Sequence, residues 1–112
     1  MTKEQAILQI EKEFTAASQA QAAGNDGMVR VCARRAAGVA IDLWLQSHSR
    51  LGWGINAMHQ LRSLRLDERM PRDIRDAAER LTTKVTAAFT SSFPTNPIDD
   101  SKIIINHLWE NT

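Results

Sequence analysis

The chain has 112 residues, of which 43% are hydrophobic and 24% are charged, and its formal net charge is +1. A chain of this length forms one domain and can bury a core without help from a metal ion or a disulfide. We therefore expect residues 1–112 to be a single domain. The one cysteine, Cys32, has no partner for an internal disulfide, which favours a reducing, cytoplasmic location.

The sequence lacks the apolar segments that direct a chain to a membrane. The N-terminal stretch TKEQAILQIEKEF contains acidic residues and no continuous apolar run, so it does not predict a secretory signal peptide. No window approaches the roughly 18 apolar residues of a membrane-spanning helix. We expect no membrane partner.

The charged residues are unevenly distributed. Residues 27–80 contain all ten arginines and six acidic residues, whereas the rest of the chain contains all four lysines and seven acidic residues. This local excess of positive charge indicates an anionic partner, such as a nucleotide, a nucleic acid or an acidic protein. The alternative is that the arginines pair with Asp and Glu on exposed helix faces, where such pairs contribute little to stability.

An apolar period near 3.6 residues predicts helices along nearly the whole chain. In the first helix, Thr2 and Gln5 have the spacing of a capping box, and the apolar stripe continues to about Ala23. Residues 24–26, Gly-Asn-Asp, predict a tight turn made of a C-cap glycine and an N-cap residue. The second helix should then run from about residue 27 to residue 47.

Three shorter helices are predicted after a loop at residues 49–54. The first of them carries Ile55, Met58, Leu61 and Leu64 on its apolar face. The next follows Pro71, a residue that suits a first helical turn. The apolar residues of that helix are Ile74, Ala78, Leu81, Val85 and Phe89.

The last predicted helix follows the stretch SSFPTNP, which predicts a short loop. Asp99 or Asp100 is placed to cap this helix, and its apolar residues are Ile103, Ile104 and Leu108. The sequence as a whole thus predicts an all-α fold, an antiparallel bundle of about five helices.

One side of the second predicted helix is made of small residues. Steps of three and four along it give Val29, Ala33, Ala36, Ala37 and Ala40. Small side chains let a neighbouring backbone approach closely, so we expect this helix to be the central one. Gly38 costs roughly 1 kcal/mol relative to alanine inside a helix, which indicates a crossing too tight for a methyl group.

The other side of this helix carries Arg30 and Arg34 one turn apart, with Arg35 at the border. These three arginines are the predicted binding residues for an anionic ligand. The alternative is that they are solvated or ion-paired, and Asp42 is placed to pair with Arg35 or Arg50.

Cys32 and three histidines are the other candidates for chemistry. Nearby arginines would lower the pKa of the Cys32 thiol, but we favour a buried cysteine that packs as a small hydrophobic residue. His48, His59 and His107 lack a His, Cys or carboxylate at metal-binding spacing, so we expect no metal site. No glycine-rich phosphate-binding pattern occurs, and we expect no cofactor.

Trp53 lies between two glycines and is the large apolar residue that the pattern leaves most exposed. Two interpretations are open. The indole either closes the end of the bundle or anchors a partner chain at an interface.

The segment AAGNDGMVRVCARRAAGVAIDLWL is a glycine turn followed by a long helix rich in arginine and alanine. It resembles the second helix of HEPN-domain proteins, which are small prokaryotic helical bundles, and the length and five-helix layout of the whole chain are similar to theirs. The resemblance implies a HEPN-like fold and a homodimer. It also implies one of two activities, that of an RNA-cleaving toxin or that of an accessory nucleotide-binding module.

The ribonucleases of that family carry an arginine and, a few residues later, a histidine near the end of the bundle. The similar stretch here is KIIINH, in which Lys102 stands in place of the arginine and is followed by Asn106 and His107. The resemblance implies these three as catalytic residues of a ribonuclease. A lysine lacks the bidentate geometry of a guanidinium, so we predict a non-enzymatic binding or accessory module instead. A structural or interaction protein with no ligand is the third hypothesis.

Overall fold

The computed structural model describes residues 1–48, 50, 52–83 and 96–110. Over these residues the chain is all-α, which confirms the predicted class. The five helices are α1 (Lys3–Ala22), α2 (Asp26–Leu45), α3 (Ala57–Leu66), α4 (Arg72–Thr82) and α5 (Pro97–Glu110). None of these helices is long and apolar enough to cross a membrane.

The first two helices begin where their capping residues predict. The Thr2 hydroxyl accepts a hydrogen bond from the Gln5 amide at 3.1 Å, and the Gln5 side chain accepts one from the Thr2 amide at 2.9 Å. Before α2, Asn25 Oδ1 accepts from the Met28 amide at 3.1 Å. Gly24 has a φ of +72°, a left-handed conformation that reverses the chain between the helices. The predicted turn at residues 24–26 is therefore present.

Helix α2 is the centre of the fold, because it packs against all four other helices. Its small residues lie at these contacts, and Ala33, Ala36 and Ala37 are fully buried. A methyl group at Gly38 would lie 2.8 Å from Cβ and 3.3 Å from Cα of Ala57 on α3. Both sequence predictions for this side of the helix are confirmed, since the α2–α3 crossing leaves no space for an alanine at position 38.

The core lies around α2 and is formed mainly by aliphatic residues from four helices. Its largest fully buried side chains are Ile41, Leu61, Leu64, Leu81, Ile104 and Leu108. A smaller cluster joins the α1–α2 hairpin to the start of α5 through Ala17, Ala20, Val29, Cys32 and Ile98. Such close packing of small and aliphatic residues fixes α2 relative to its neighbours.

The start of α3 differs from the prediction. The helix begins at Ala57, because Asn56 Oδ1 accepts a hydrogen bond from the His59 amide at 2.9 Å. Ile55 therefore precedes the helix and is 94% exposed rather than part of its apolar face. The asparagine cap decides the boundary here, and the apolar period does not.

The boundaries of α4 and α5 also differ from the prediction. Helix α4 ends at Thr82, and Thr83 has an extended backbone, while Val85, Phe89 and most of the stretch SSFPTNP lie outside the described residues. Helix α5 begins at Pro97, because Asn96 Oδ1 accepts from the Ile98 amide at 2.9 Å. Asp99 and Asp100 consequently lie in the first turn, and the helix is capped by Asn96 and not by either aspartate.

Candidate anion-binding groove

Arg30 and Arg34 reach from α2 to the C-terminal end of α4. Arg30 Nη2 donates hydrogen bonds to the carbonyls of Arg80, Leu81 and Thr83 at 2.8, 3.3 and 2.9 Å. Arg34 Nη1 donates to the Leu81 carbonyl at 3.4 Å. The last carbonyls of a helix have no partners within it and carry partial negative charge. The two guanidinium groups therefore hold the end of α4 against α2.

The same two arginines line a groove of about 490 Å³ between α2, α3 and α4, which we call the arginine groove. Three of its lining residues are arginines, because Arg62 of α3 joins Arg30 and Arg34. The described residues of its lining are Gly27, Arg30, Arg34, Met58, Arg62, Thr82 and Thr83. None of these described lining residues is acidic.

Burial and neighbouring positive charges both disfavour the charged forms of Arg30 and Arg34. Burial lowers the pKa of Arg30, and the neighbouring charge of Arg34 lowers this pKa further, while the negative charge of Asp100 raises it. Burial also lowers the pKa of Arg34, with a second contribution from Arg35. A guanidinium stays charged at neutral pH even so. An anion bound between these groups would relieve their repulsion.

The donors that face the groove are mainly guanidinium N–H groups. Each guanidinium has five N–H donors; Arg34 makes one hydrogen bond, and Arg62 makes no hydrogen bond or ion pair with the described part of the chain. The Thr82 hydroxyl donates to the Ala78 carbonyl at 2.9 Å, and the Thr83 hydroxyl donates to the Glu79 carbonyl at 2.7 Å. Arg34 and Arg62 thus offer the available donors.

The sequence predicted two of the three arginines correctly as neighbours and missed the third. Arg35 is exposed on α2, where its charge lowers the pKa of Arg34, and it is not among the described residues that line the groove. Arg62 of α3 lines the groove together with Arg30 and Arg34. Met58 and Arg62 are one turn apart on α3, but only the packing of α3 on α2 places that turn beside Arg34.

Four arginines outside the arginine groove pair with carboxylates. Arg80 contacts the buried Asp100 through Nε and Nη2, at 3.1 and 2.9 Å from Oδ1, and this contact raises the pKa of Arg80. Three further ion pairs join Arg69 to Asp67 at 2.9 Å, Arg50 to Asp67 at 3.7 Å, and Arg72 to Asp76 at 4.0 Å.

A second groove, which we call the α3–α4 groove, shows the same matching of charge. It has a volume of about 380 Å³ and contains three arginines, as the arginine groove does. Its lining is Arg65, Leu66, Arg72, Arg75, Asp76 and Glu79. The two carboxylates offset most of the positive charge there, which distinguishes it from the arginine groove.

Asp42 does not pair with an arginine, contrary to the sequence prediction. Its carboxylate accepts a hydrogen bond from the side-chain amide of Gln60, which is 1% exposed. The close α2–α3 crossing at Gly38 explains this contact. Gln60 of α3 lies beside Gly38, and Asp42 follows Gly38 by one turn on α2. Arg50 instead lies over the Trp44 ring, with Cζ 5.1 Å from its centroid.

Trp53 is 7% exposed and packs on Trp44, with the ring centroids 5.6 Å apart. It therefore closes one part of the core, as the first of the two sequence interpretations has it. Little of its surface is available to a partner chain. The predicted interface role would require the indole to leave this position.

Cys32 packs as a small hydrophobic residue and is 1% exposed. Burial raises the pKa of its thiol, and the charge of Glu13 adds to that effect against a lowering by Arg35. A thiol with a raised pKa is a poor nucleophile at neutral pH. The favoured sequence interpretation of this residue is confirmed.

The three residues of the alternative ribonuclease site lie on α5 without converging. Lys102 lies over the Phe14 ring of α1, with Nζ 5.6 Å from its centroid. His107 follows Asp100 by seven residues, which places it on the face that pairs with Arg80 of α4. Five residues separate Lys102 from His107, or about 140° around the helix axis. Asn106 is exposed one turn after Lys102. Within one chain, Lys102 and His107 point in different directions.

Among the described residues, no three His, Cys, Asp or Glu side chains lie close enough together to hold a metal ion. Comparison of the chain with models of known protein families, with curated proteins and with solved structures found no match.

Proposed function

We propose that this protein is a non-enzymatic binding or accessory module with a HEPN-like bundle, and that the arginine groove binds an anionic ligand. The ligand classes are a nucleotide, a nucleic acid or an acidic protein. The observation that carries the proposal is that three guanidinium groups line one groove without an acidic residue among its described lining.

The electrostatics of the groove support this function. A concave surface of one sign of charge raises the local concentration of oppositely charged ligands. Guanidinium groups bind carboxylates and phosphates through paired N–H donors, which adds orientation to attraction. Arg34 and Arg62 both retain such donors.

Binding isotherms test the proposal. The probes are a 12-nucleotide single-stranded RNA, ATP and a hexaglutamate peptide, each titrated into the full chain at 50 and 200 mM salt. We expect at least one probe to bind, and we expect its affinity to fall as the salt concentration rises, because contacts to anionic groups are screened and counterions are released.

The groove is tested by a matched pair of double variants. Arg34→Ala with Arg62→Ala should weaken binding at least tenfold, whereas Arg65→Ala with Arg72→Ala, in the α3–α4 groove, should change it less than twofold. Equal losses in both variants would assign binding to general surface charge. No binding of any probe would leave a structural or interaction protein as the better hypothesis.

The ribonuclease alternative finds no support in the position of Lys102 and His107. We expect labelled RNA incubated with purified protein to remain intact, and His107→Ala to leave that result unchanged. Cleavage that disappears in the His107→Ala protein but not in a Gln9→Ala control, an exposed residue on α1, would instead establish an active ribonuclease.

A homodimer is the assembly that we propose, on the basis of the HEPN resemblance. Size-exclusion chromatography with light scattering measures it directly. A mass near twice the 12.5 kDa of one chain supports the dimer. A constant monomer mass up to high protein concentration contradicts it.

A further inference from the structure

We propose that the arginine groove selects a compact di- or triphosphate group over an extended anionic polymer. This inference rests on the function proposed above and names the ligand class of the same site. It depends on three observations, which are the matching of positive charge beside the groove, the density of cations within it, and the different roles of its three arginines.

The first observation is that the surface on the α3–α4 side of the groove combines its positive charge with carboxylates. A polymer is bound by a track of cations that contacts successive phosphates or carboxylates. Arg69, Arg72 and Arg80 each pair with a carboxylate. The adjacent α3–α4 groove combines its arginines with Asp76 and Glu79. A strand leaving the arginine groove in that direction would meet mixed charge instead of a track of cations.

The second observation is the density of charge within the groove. Three guanidinium groups line about 490 Å³, a volume in the range of small-molecule sites. One carboxylate or one phosphodiester carries a single negative charge and would offset one of the three cations. A diphosphate or triphosphate carries several charges on neighbouring oxygens, so it can accept donors from more than one guanidinium at once.

The third observation is that Arg30 is held by the fold, whereas Arg34 and Arg62 keep free N–H donors. Arg30 donates to three carbonyls at the end of α4, and these bonds fix its guanidinium at the base of the groove. Arg34 makes one hydrogen bond at 3.4 Å, and Arg62 is exposed on α3. Arg34 and Arg62 are therefore the ligand-contacting residues, and Arg30 positions the site. Met58 contributes an apolar wall beside them.

Isothermal titration calorimetry at constant ionic strength tests the selection. The full chain is titrated with inorganic pyrophosphate, with ATP, with a 12-nucleotide single-stranded RNA that has hydroxyl groups at both ends, and with hexaglutamate. We expect pyrophosphate or ATP to bind at least tenfold more tightly than the RNA and the peptide. The first two titrations separate an inorganic source of the diphosphate from a nucleotide source, and tight binding of either supports the inference.

Arg62→Ala is the informative variant, because the exposed Arg62 makes no hydrogen bond or ion pair with the described residues and its removal should leave the fold intact. It should weaken pyrophosphate or ATP binding at least fivefold, while Arg65→Ala on the same helix should change it less than twofold. Tighter binding of RNA or hexaglutamate with the same Arg62 dependence would overturn the selection and leave the proposed function standing. Binding of none of the four probes would remove both. Phosphate binding that is equal in the wild type and the Arg62→Ala protein would overturn the assignment to this groove.

Discussion

Two grooves of similar size flank α4, and each contains three arginines. In the α3–α4 groove the cations are accompanied by Asp76 and Glu79, whereas the described lining of the arginine groove contains no acid. The same residue type thus has two uses in one small fold. Arginines that pair with carboxylates are neutralised within the chain. Arg34 and Arg62 have no such pair among the described residues, so their positive charge can attract a ligand.

Arg30 connects the two uses. It donates to main-chain carbonyls at the end of α4 and also lines the arginine groove, so it stabilises the fold and adds positive charge to the site. Mutations that separate stability from binding can therefore break or sharpen the comparison. They are given from the largest expected effect on stability to the smallest.

Loss of the buried partner in a matched pair should have the largest effect. Asp100 is 2% exposed and binds Arg80 with two guanidinium nitrogens, while Arg80 keeps 28% of its side chain exposed. We expect Asp100→Asn to lower the free energy of unfolding by about 3 kcal/mol, the lower part of the range for broken buried pairs. Urea unfolding measures it. Asp99→Asn, at the exposed neighbouring position, is the control and should have little effect. Equal losses in both would indicate a general effect on the first turn of α5.

Removal of the α4 clamp should have an intermediate effect. Arg30→Ala leaves the carbonyls of Arg80, Leu81 and Thr83 without their charged donor, and because the side chain is half-buried, water can replace part of it. We expect a loss of about 1–2 kcal/mol in the free energy of unfolding. Arg35→Ala, on the same helix and exposed, is the matched control. Hydrogen exchange at the last turn of α4 should accelerate in Arg30→Ala alone.

The pH dependence of stability should reveal the Asp67 pair. A hydrogen bond from Arg69 lowers the pKa of Asp67, against the effect of burial. A carboxylate with a lowered folded-state pKa contributes stability above its ordinary pKa, which is 3.8 for aspartate, and this contribution is lost as the pH falls further. The wild type should therefore be more stable than Asp67→Asn at pH 7. The difference should shrink below about pH 4, and a constant difference from pH 7 to pH 3 would contradict the assignment.

Removal of an unmatched arginine should have the smallest effect. Arg62 is exposed and makes no hydrogen bond or ion pair within the described part of the chain, so Arg62→Ala should change the free energy of unfolding by less than about 0.5 kcal/mol. The urea midpoint measures it, with wild-type protein alongside. A loss as large as that of Arg30→Ala would mean that Arg62 belongs with the structural arginines.

The packing side of α2 could be predicted from sequence, because it follows from local spacing alone. The 3.6-residue period places the alanines on one side, and a glycine in a helix interior has few reasons other than a close crossing. The structure supplies that crossing at Ala57. The capping residues Thr2 and Asn25 predicted the starts of α1 and α2 correctly. The apolar period misplaced the start of α3, which Asn56 sets, and Asp99 or Asp100 was the wrong choice of cap for α5, which Asn96 caps.

The arginine groove could not be predicted in the same way, because its parts come from three helices. The carbonyls that bind Arg30 lie about fifty residues away in sequence, and nothing local distinguishes Arg62 from Arg65. Which arginine faces α2 and which faces α4 depends on how α3 packs. Sequence alone indicated an arginine surface on α2, and the tertiary contacts replaced Arg35 by Arg62 in it.

Arginine side-chain NMR tests the contrast between matched and unmatched arginines most directly. Each arginine Nε–H gives a signal that responds to a nearby anion. During a titration with pyrophosphate at constant ionic strength, the signals of Arg34 and Arg62 should shift in a saturable manner, while those of Arg69 and Arg80 stay within the range of a chloride control. Equal shifts at all four residues, or shifts at Arg69 and Arg80 alone, would contradict an anion-binding site in the arginine groove.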